Sequence, residues 1–144
     1  MTIYFYIPND KFGEFSNSAN FGIELDGKWW KTIEHYFQAQ KFNNDEFKEK
    51  IRITPSAKAA VTLGRSREFP LREDWEHLKD EVMRKAVLKK FQTHRVLREL
   101  LVSTKSEKII EAAPGDYYWG AGQDGSGMNM LGIILEEIRD SLKV

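Results

Sequence analysis

Apolar residues recur with the period of an α-helix over much of this chain, whereas alternating β-type runs are few and short. One helical stripe begins at Trp75 and repeats at Leu78, Val82 and Ala86. A second lies near the C-terminus and consists of Leu131, Ile134, Leu135, Ile138 and Leu142. Because apolar residues at this spacing form one face of an amphipathic helix, the pattern predicts a helix-rich α+β fold.

Four short strands are also predicted. Strands are expected over residues 3–7, over residues 21–25 and 28–30 on either side of Asp26-Gly27, and over residues 108–111. An Asp-Gly pair between two apolar runs predicts a hairpin, since glycine adopts positive φ without strain. We expect these few strands to be antiparallel and surrounded by helices, in one compact domain spanning residues 1–144.

Capping residues delimit the remaining helices. Helices are predicted over residues 33–42, after a Thr32 cap, over residues 45–52, and around the apolar residues of segment 96–101. Another is expected to begin with Thr54 as its N-cap and Pro55 in its first turn, and to end before Gly64.

Composition excludes several classes of protein. The chain has 144 residues, no cysteine, and 22 basic against 22 acidic residues. It therefore has no disulfide, thiolate nucleophile or cysteine-bound metal, and it lacks the net positive charge of a general duplex-binding protein. Neither a signal peptide nor an apolar run of about 20 residues is present. We expect a cytoplasmic protein with no membrane partner.

A polar stripe on the first predicted helix is the first candidate site. At 100° per residue, Glu34, Gln38 and Lys41 fall within a narrow sector of a helix that is otherwise largely apolar. A buried stripe of this kind would place a carboxylate, an amide and an ammonium group in a cavity. The alternative is a solvated edge with a weak surface ion pair, and the stripe alone leaves both open.

A glycine-rich loop is the second candidate. Residues 120–125 match G-x-G-x-x-G, but too little chain follows for the second strand of a dinucleotide-binding fold. The glycines instead suit close approach of the backbone to a ligand, or an irregular surface loop. Asp116 and Trp119 precede them, and Asn129 precedes a helix whose free N–H groups could receive an anion.

Two arginines form a third candidate. Arg65 and Arg67 follow a predicted helix, and guanidinium groups suit bidentate contacts to phosphate, although many loop arginines are simply solvated. The three histidines lack the spacing of a metal site, so we expect no metal.

These motifs together resemble those of the NADAR (NAD- and ADP-ribose-associated), or YbiA-like, family. The matching residues cover most of the chain and include Phe15-Ser16-Asn17, the run from Glu34 to Phe42, Gly64-Arg65, Trp75, Asp116, Trp119-Gly120, Asn129 and Leu131-Gly132. The resemblance implies metal-independent N-glycosidase chemistry that needs no cofactor. Bacterial and plant members of the family act on early riboflavin intermediates, and others remove ADP-ribose from guanine.

The resemblance also implies roles for individual residues. Glu34 would stabilise the developing ribose cation and activate water, with Asp116 as a second carboxylate; Lys41 would hold phosphate or assist the leaving group. The expected substrate-binding residues are Arg65 for phosphate, Trp75 and Trp119 for stacking on the base or excluding water, Asn17, Gln38 and Asn129 for ribose hydroxyls or for fixing Glu34, and Gly120 for close backbone approach.

The expected function follows from these roles. We predict hydrolysis of the N-glycosidic bond in a small phosphorylated ribosylamine nucleotide, with aminopyrimidine ribose 5-phosphates as substrates. One alternative is removal of ADP-ribose from guanine, which would make ADP-ribosylated nucleic acid a partner. Another is a non-catalytic module that binds ADP-ribose or nucleotides.

Overall fold

The computed structural model describes residues 1–142, in which six α-helices and four short strands form an α+β fold. The helices are α1 (Ile33–Gln40), α2 (Asp45–Ile53), α3 (Ala57–Arg65), α4 (Trp75–Thr93), α5 (Arg95–Ser103) and α6 (Met130–Leu142). The strands are β1 (Ile3–Phe5), β2 (Ile23–Leu25), β3 (Lys28–Trp30) and β4 (Ile109–Glu111), and a 3-10 turn spans Gly13–Phe15. The predicted helix-rich α+β class is confirmed.

The strands form two separate pairs rather than one antiparallel group. β2 and β3 make the predicted hairpin, in which Asp26 and Gly27 have φ values of 57° and 78°. β1 and β4 pair in parallel, with Ile3 opposite Ile109, so the expectation of antiparallel strands was wrong for this pair. Parallel pairing requires a long crossover, and the chain supplies one because α1 to α5 lie between these strands.

The start of α3 also differs from the prediction. Its N-cap is Ser56, whose hydroxyl accepts from the Ala59 N–H at 3.1 Å, and Gly64 lies inside the last turn rather than beyond it. Proline disfavours helical backbone in the residue before it. Thr54 is accordingly extended, with ψ of 148°, and it ends α2 instead of capping α3.

The chain divides into two compact units, and one domain over residues 1–144 stays a prediction. The helical unit comprises residues 20–90, and α1 packs there against both α2 and α3. Its core includes the edge-to-face pair of Phe42 and Phe47, whose ring centroids are 4.8 Å apart. No helix within residues 1–142 has the length and apolar character needed to cross a membrane.

The second unit combines residues 1–19 with the chain from residue 91 onward. In it, β4 and α5 both pack against α6, and β1 lies beside β4. Ile109, Leu97 and Leu131 are fully buried in this unit. Its glycine-rich loop connects β4 to α6.

Candidate active site

The polar stripe of α1 is largely withdrawn from solvent. Gln38 is only 5% exposed, and Glu34 and Lys41 are half-buried. The Nε2 group of Gln38 donates to Oε1 of Glu34 at 2.6 Å. A hydrogen bond to an ionised carboxylate is stronger than one between neutral groups. The stripe therefore fits the buried arrangement and not the solvated edge, and Gln38 fixes one oxygen of Glu34.

Lys41 lies in a crowded electrostatic environment. Burial lowers the pKa of Lys41, Glu34 opposes that shift, and Arg67 and Arg65 lower the pKa further. The Lys41 ammonium also lies 5.8 Å from the ring centroid of Phe37. Three cations thus act on the same small region as one carboxylate, which is the charge balance that a phosphorylated ligand requires.

Arg67 was a candidate alongside Arg65, but only Arg65 was expected to bind phosphate. Its Nη1 group donates to the carbonyl oxygens of Gly64 and Ser66, both at 3.0 Å. Arg65 ends α3 and is exposed, as is Arg67. The end of α3 therefore presents two guanidinium groups near Lys41, and one of them is oriented by the backbone.

Trp75 begins α4 and is packed as a core residue. Its ring lies edge-to-face against Phe37, with centroids 5.1 Å apart, and the side chain is only 5% exposed. A ring that stacks on a substrate base needs an accessible face. Base stacking by Trp75 stays a prediction, while its packing against α1 is a feature of the fold.

Two anchors outside the predicted set hold α1 in place, and the first is His35. Its Nε2 lies 2.9 Å from the carbonyl oxygen of Thr54, which can only accept, so Nε2 carries the proton. Its Nδ1 then accepts from the hydroxyl of Thr32 at 2.8 Å, while the Thr32 oxygen caps the helix by accepting from the His35 N–H. Desolvation lowers the pKa of His35, which favours this neutral form.

The second anchor is Tyr36. Its hydroxyl donates to Asp26 at 2.9 Å, and the Lys85 ammonium contacts the other oxygen of that carboxylate at 2.8 Å. Burial, together with the Asp26 carboxylate, raises the pKa of Tyr36 to about 12. The hairpin turn and α4 thereby fix Tyr36, two residues after Glu34 in α1.

In the second unit, Asn129 brackets strand β4. Its Oδ1 accepts from the Glu111 N–H and its Nδ2 donates to the Ile109 carbonyl, both at 2.9 Å. Asn129 is buried and adopts a φ of 54°, a left-handed conformation that asparagine tolerates. These contacts account for the asparagine without a ligand, and ribose binding by it stays a prediction.

The first two N–H groups of α6 are already hydrogen-bonded, which counts against anion binding by these two groups. The N–H groups of Met130 and Leu131 donate to the carbonyl oxygens of Tyr118 and Trp119, at 2.9 and 3.0 Å. Carbonyl oxygens of the preceding loop thus accept hydrogen bonds from the first two N–H groups of the helix. These N–H groups have no partner within the helix itself.

Asp116 holds the turn that leads into the glycines. Its Oδ1 accepts from the N–H groups of Tyr118 and Trp119, at 3.0 and 2.8 Å. Gly120 is buried, and a Cβ there would lie 2.9 Å from the Asp116 carbonyl oxygen and 3.0 Å from that of Glu111. Both residues therefore have a structural explanation in this loop.

The remaining predicted site residues of this unit lie in the segment after the 3-10 turn and in the loop before α6. Asn17 is buried in the segment after the 3-10 turn, and Trp119 is half-buried against the edge of Tyr118, with centroids 4.8 Å apart. The catalytic role of Asp116 and the substrate contacts of Asn17, Trp119 and Gly120 stay predictions. Their sharing of one site with Glu34 also stays a prediction.

A large cleft in the helical unit lies beside this cluster rather than over it. It measures about 830 Å³ and is lined by residues 43–44 and 69–74. Arg72 belongs to its wall and donates its N–H to the Lys41 carbonyl at 2.8 Å. Neither Glu34 nor Lys41 lines it, so the candidate site is defined by the charges and hydrogen bonds around α1, not by this cleft.

Comparison with known proteins assigns the family. The NADAR domain model matches residues 4–143, and the chain belongs to the NADAR domain family. It is 47% identical to N-glycosidase YbiA of Escherichia coli (strain K12) over 142 residues, which cover 99% of this chain and 89% of that protein. The solved NMR structure of E. coli YbiA matches with a TM-score of 0.91, covering 99% of this chain and 84% of that one.

Two more distant relatives indicate what the family does. N-glycosidase Npun_R5314 of Nostoc punctiforme is 41% identical, with 99% of this chain and 94% of the relative covered. Riboflavin biosynthesis protein VVA0006 of Vibrio vulnificus is 37% identical over 98% of this chain, which spans only 38% of that protein. The resemblance that the motifs indicated is confirmed, and the relatives named as N-glycosidases support an enzyme that hydrolyses N-glycosyl bonds.

Proposed function

We propose that this chain hydrolyses the N-glycosidic bond of a phosphorylated ribosylamine nucleotide, with aminopyrimidine ribose 5-phosphates of early riboflavin synthesis as its substrates. The observation that carries the proposal is a carboxylate fixed among cations. Glu34 receives the Gln38 amide at 2.6 Å, and Lys41 experiences the charges of Glu34 and of two arginines. The N-glycosidase and riboflavin names of relatives support the reaction and the substrate class.

In the proposed reaction, the bond between C1′ of the ribose and the exocyclic amine nitrogen breaks, and that nitrogen takes the electron pair. Positive charge develops on C1′ in an oxocarbenium-like transition state. Glu34 stabilises this charge and accepts a proton from the water whose oxygen bonds to C1′. The products are ribose 5-phosphate and the free aminopyrimidine.

Lys41 is the proton donor to the departing nitrogen in this scheme. Its burial lowers its pKa, which makes the ammonium a stronger acid than a solvated lysine. A proton donor is most effective when its pKa lies close to the operating pH. Glu34 opposes the downward shift, because its negative charge favours the charged form of Lys41.

Arg65 and Arg67 bind the phosphate in this scheme. Both lie at the end of α3, and Arg67 is oriented by two backbone carbonyls at 3.0 Å. Hydrogen bonds between charged partners contribute about 1.5–3 kcal/mol each. A substrate lacking its phosphate loses a partner for both arginines, about 3–6 kcal/mol together, and should therefore be turned over with a kcat/KM lower by roughly 10²- to 10⁴-fold.

A hydrolysis panel tests the proposal. Purified protein is incubated with the aminopyrimidine ribose 5-phosphates, their phosphate-free nucleosides, ADP-ribose, NAD and guanine-ADP-ribosylated oligonucleotides, and released base is measured by mass spectrometry. We expect release from the ribose 5-phosphates, weaker release from the nucleosides, and none from the other compounds.

The Glu34→Gln protein serves as the control in every reaction. Release of ADP-ribose from the oligonucleotides alone would replace the proposal with the guanine-directed activity. Binding of several ligands without release by either protein would establish a nucleotide-binding module instead.

A further inference from the structure

Gly64 occupies a position where the backbone does not require glycine. It lies in the last turn of α3, and its φ is not in the left-handed region, unlike those of Gly27, Gly122 and Gly125. Glycine is the poorest helix former apart from proline, and alanine is the best. Stability of α3 therefore favours alanine here, and the reason for glycine must lie in what surrounds it.

The surrounding group is the side chain of Gln38. A Cβ on Gly64 would overlap the Gln38 amide oxygen and would lie 2.7 Å from its Cδ and 3.1 Å from its Cβ. Real side chains essentially never approach so closely, so the amide occupies the space that a methyl group would fill. Gly64 and Gln38 are both buried.

The orientation of that amide depends on the same contact. Its Nε2 donates to Glu34, while its Oε1 is buried and accepts no hydrogen bond from the described residues. Rotating the amide by 180° would turn its oxygen toward the carboxylate, and two acceptors cannot bond each other. The amide can therefore donate a hydrogen bond to Glu34 only in its present orientation, in which its oxygen is directed at Gly64.

We propose that Gly64 is a positioning residue for the N-glycosidase reaction: its missing side chain leaves room for Gln38 to hold the catalytic Glu34. This inference rests on the proposed function of Glu34. A methyl group at position 64 meets chiefly the flexible end of Gln38, so the fold can accommodate it by displacing the amide. The carboxylate would then lose its partner, and a misplacement of about 1 Å at a reacting group costs roughly 100-fold in rate.

A double-mutant cycle tests the inference. We expect Gly64→Ala to lower kcat by about 10- to 100-fold while KM changes less than about threefold, because substrate contacts remain. In a Gln38→Ala background no amide is left to displace, so adding Gly64→Ala should lower kcat less than about threefold further. Thr62→Ala, an exposed change on the same helix, is the matched control and should leave kcat unchanged.

The outcomes separate the inference from the function on which it rests. A wild-type protein that releases no base from any substrate refutes the proposed function. If the wild type is active, either of two results overturns the inference. The first is a Gly64→Ala protein with unchanged kcat, and the second is an equal loss of kcat when Gly64→Ala is added to the wild type and to Gln38→Ala.

If Gly64→Ala alone fails to fold, the double variant decides. A folded double variant as active as Gln38→Ala supports the role of Gly64, and an unfolded one overturns it. Independently of activity, the ¹³C carboxyl resonance of Glu34 should move in Gly64→Ala and stay in place in Thr62→Ala. A stationary resonance in Gly64→Ala contradicts the proposal.

Discussion

The polar stripe of α1 and the loop before α6 both carry highly specific motifs of the family, yet they use their polar groups differently. In the loop, Asn129 and Asp116 each accept from or donate to two backbone groups of their own unit. In the stripe, the Gln38 amide oxygen lacks a partner among the described residues, and burial together with the charges of two arginines lowers the pKa of the half-buried Lys41.

This difference separates two kinds of motif residue. Buried polar groups are normally hydrogen-bonded, so an asparagine that completes a backbone network is explained by the fold. Buried polar atoms without a hydrogen-bond partner and charges close to like charges lower the stability of the fold. They are typical of functional sites, where the same arrangement serves the reaction. We therefore expect changes in the loop to cost mainly stability and changes in α1 to cost mainly activity.

The largest expected effect is on activity, in α1. Glu34→Gln should lower kcat by about 10²- to 10⁴-fold, because a positioned acid–base group contributes that much. The uncharged side chain has nearly the same shape, so the far-ultraviolet circular dichroism spectrum and the unfolding midpoint should remain close to wild type. Steady-state kinetics on the aminopyrimidine ribose 5-phosphate measure the effect.

An exposed carboxylate in the same unit supplies the control for that change. Glu46→Gln, in the first turn of α2, should retain wild-type kcat. Equal activity of Glu34→Gln and Glu46→Gln would mean that Glu34 takes no part in the reaction. Loss of activity would then no longer distinguish changes in α1 from changes in the loop.

The next largest effect is on stability, in the loop. Asn129→Ala should lower the free energy of unfolding by about 2–4 kcal/mol, because it leaves two backbone groups of β4 without partners and places alanine at positive φ. Chemical denaturation measures this loss. Gln123→Ala, an exposed change in the same loop, should stay within about 0.5 kcal/mol of wild type.

The presence of the helices was predictable from the sequence because their apolar periods are local, although the cap expected for α3 was wrong, since Ser56 and not Thr54 caps it. Thr32 caps α1 as expected, and the Asp26-Gly27 turn forms the predicted hairpin. The parallel pairing of β1 with β4 was not predictable, since nothing local to Ile3 or Ile109 specifies a partner about 100 residues away.

The candidate site was predictable to a similar degree. The stripe of Glu34, Gln38 and Lys41 followed from helical spacing, because a regular helix fixes which side chains share a face. The contacts of Asp116 and Asn129 did not, since an irregular loop has no period that reveals which backbone groups its side chains meet. Arg67 was a candidate from the sequence together with Arg65, and the structure adds the two backbone contacts that orient it.

The expected difference between the loop before α6 and the polar stripe of α1 can be tested most directly at Asp116. Asp116→Ala should lower the free energy of unfolding by about 1–3 kcal/mol, since two backbone N–H groups lose their acceptor. Asp116→Asn keeps an oxygen acceptor and should lose less than half as much. If Asp116→Asn instead kept its stability and lost about 100-fold in kcat, the loop would share the chemistry of α1.

The smallest expected effect is the dependence of the free energy of unfolding on pH. It compares two neighbouring residues of α1, the structural His35 and the candidate catalytic Glu34. His35 stands next to Glu34, but its ring is bonded to Thr32 and to the Thr54 carbonyl, as a structural residue would be. Burial lowers its pKa below the usual value of about 6.5, so below that pH the unfolded chain binds a proton that the folded chain resists. Stability is then complete above about pH 6.5 and decreases as pH falls toward the lowered pKa, by at most about 1.4 kcal/mol per pH unit.

Denaturation of the wild type and of His35→Gln between pH 7.5 and 5 measures this dependence. The wild type should lose stability over the interval relative to the variant, because the variant has no imidazole to protonate. His77→Gln, which removes an exposed histidine on α4, should follow the wild-type curve. Identical pH dependence of wild type and His35→Gln would mean that the ring accepts its proton without disturbing the Thr32 cap. His35 would then have to be grouped with the polar stripe of α1 and not with the residues that anchor this helix.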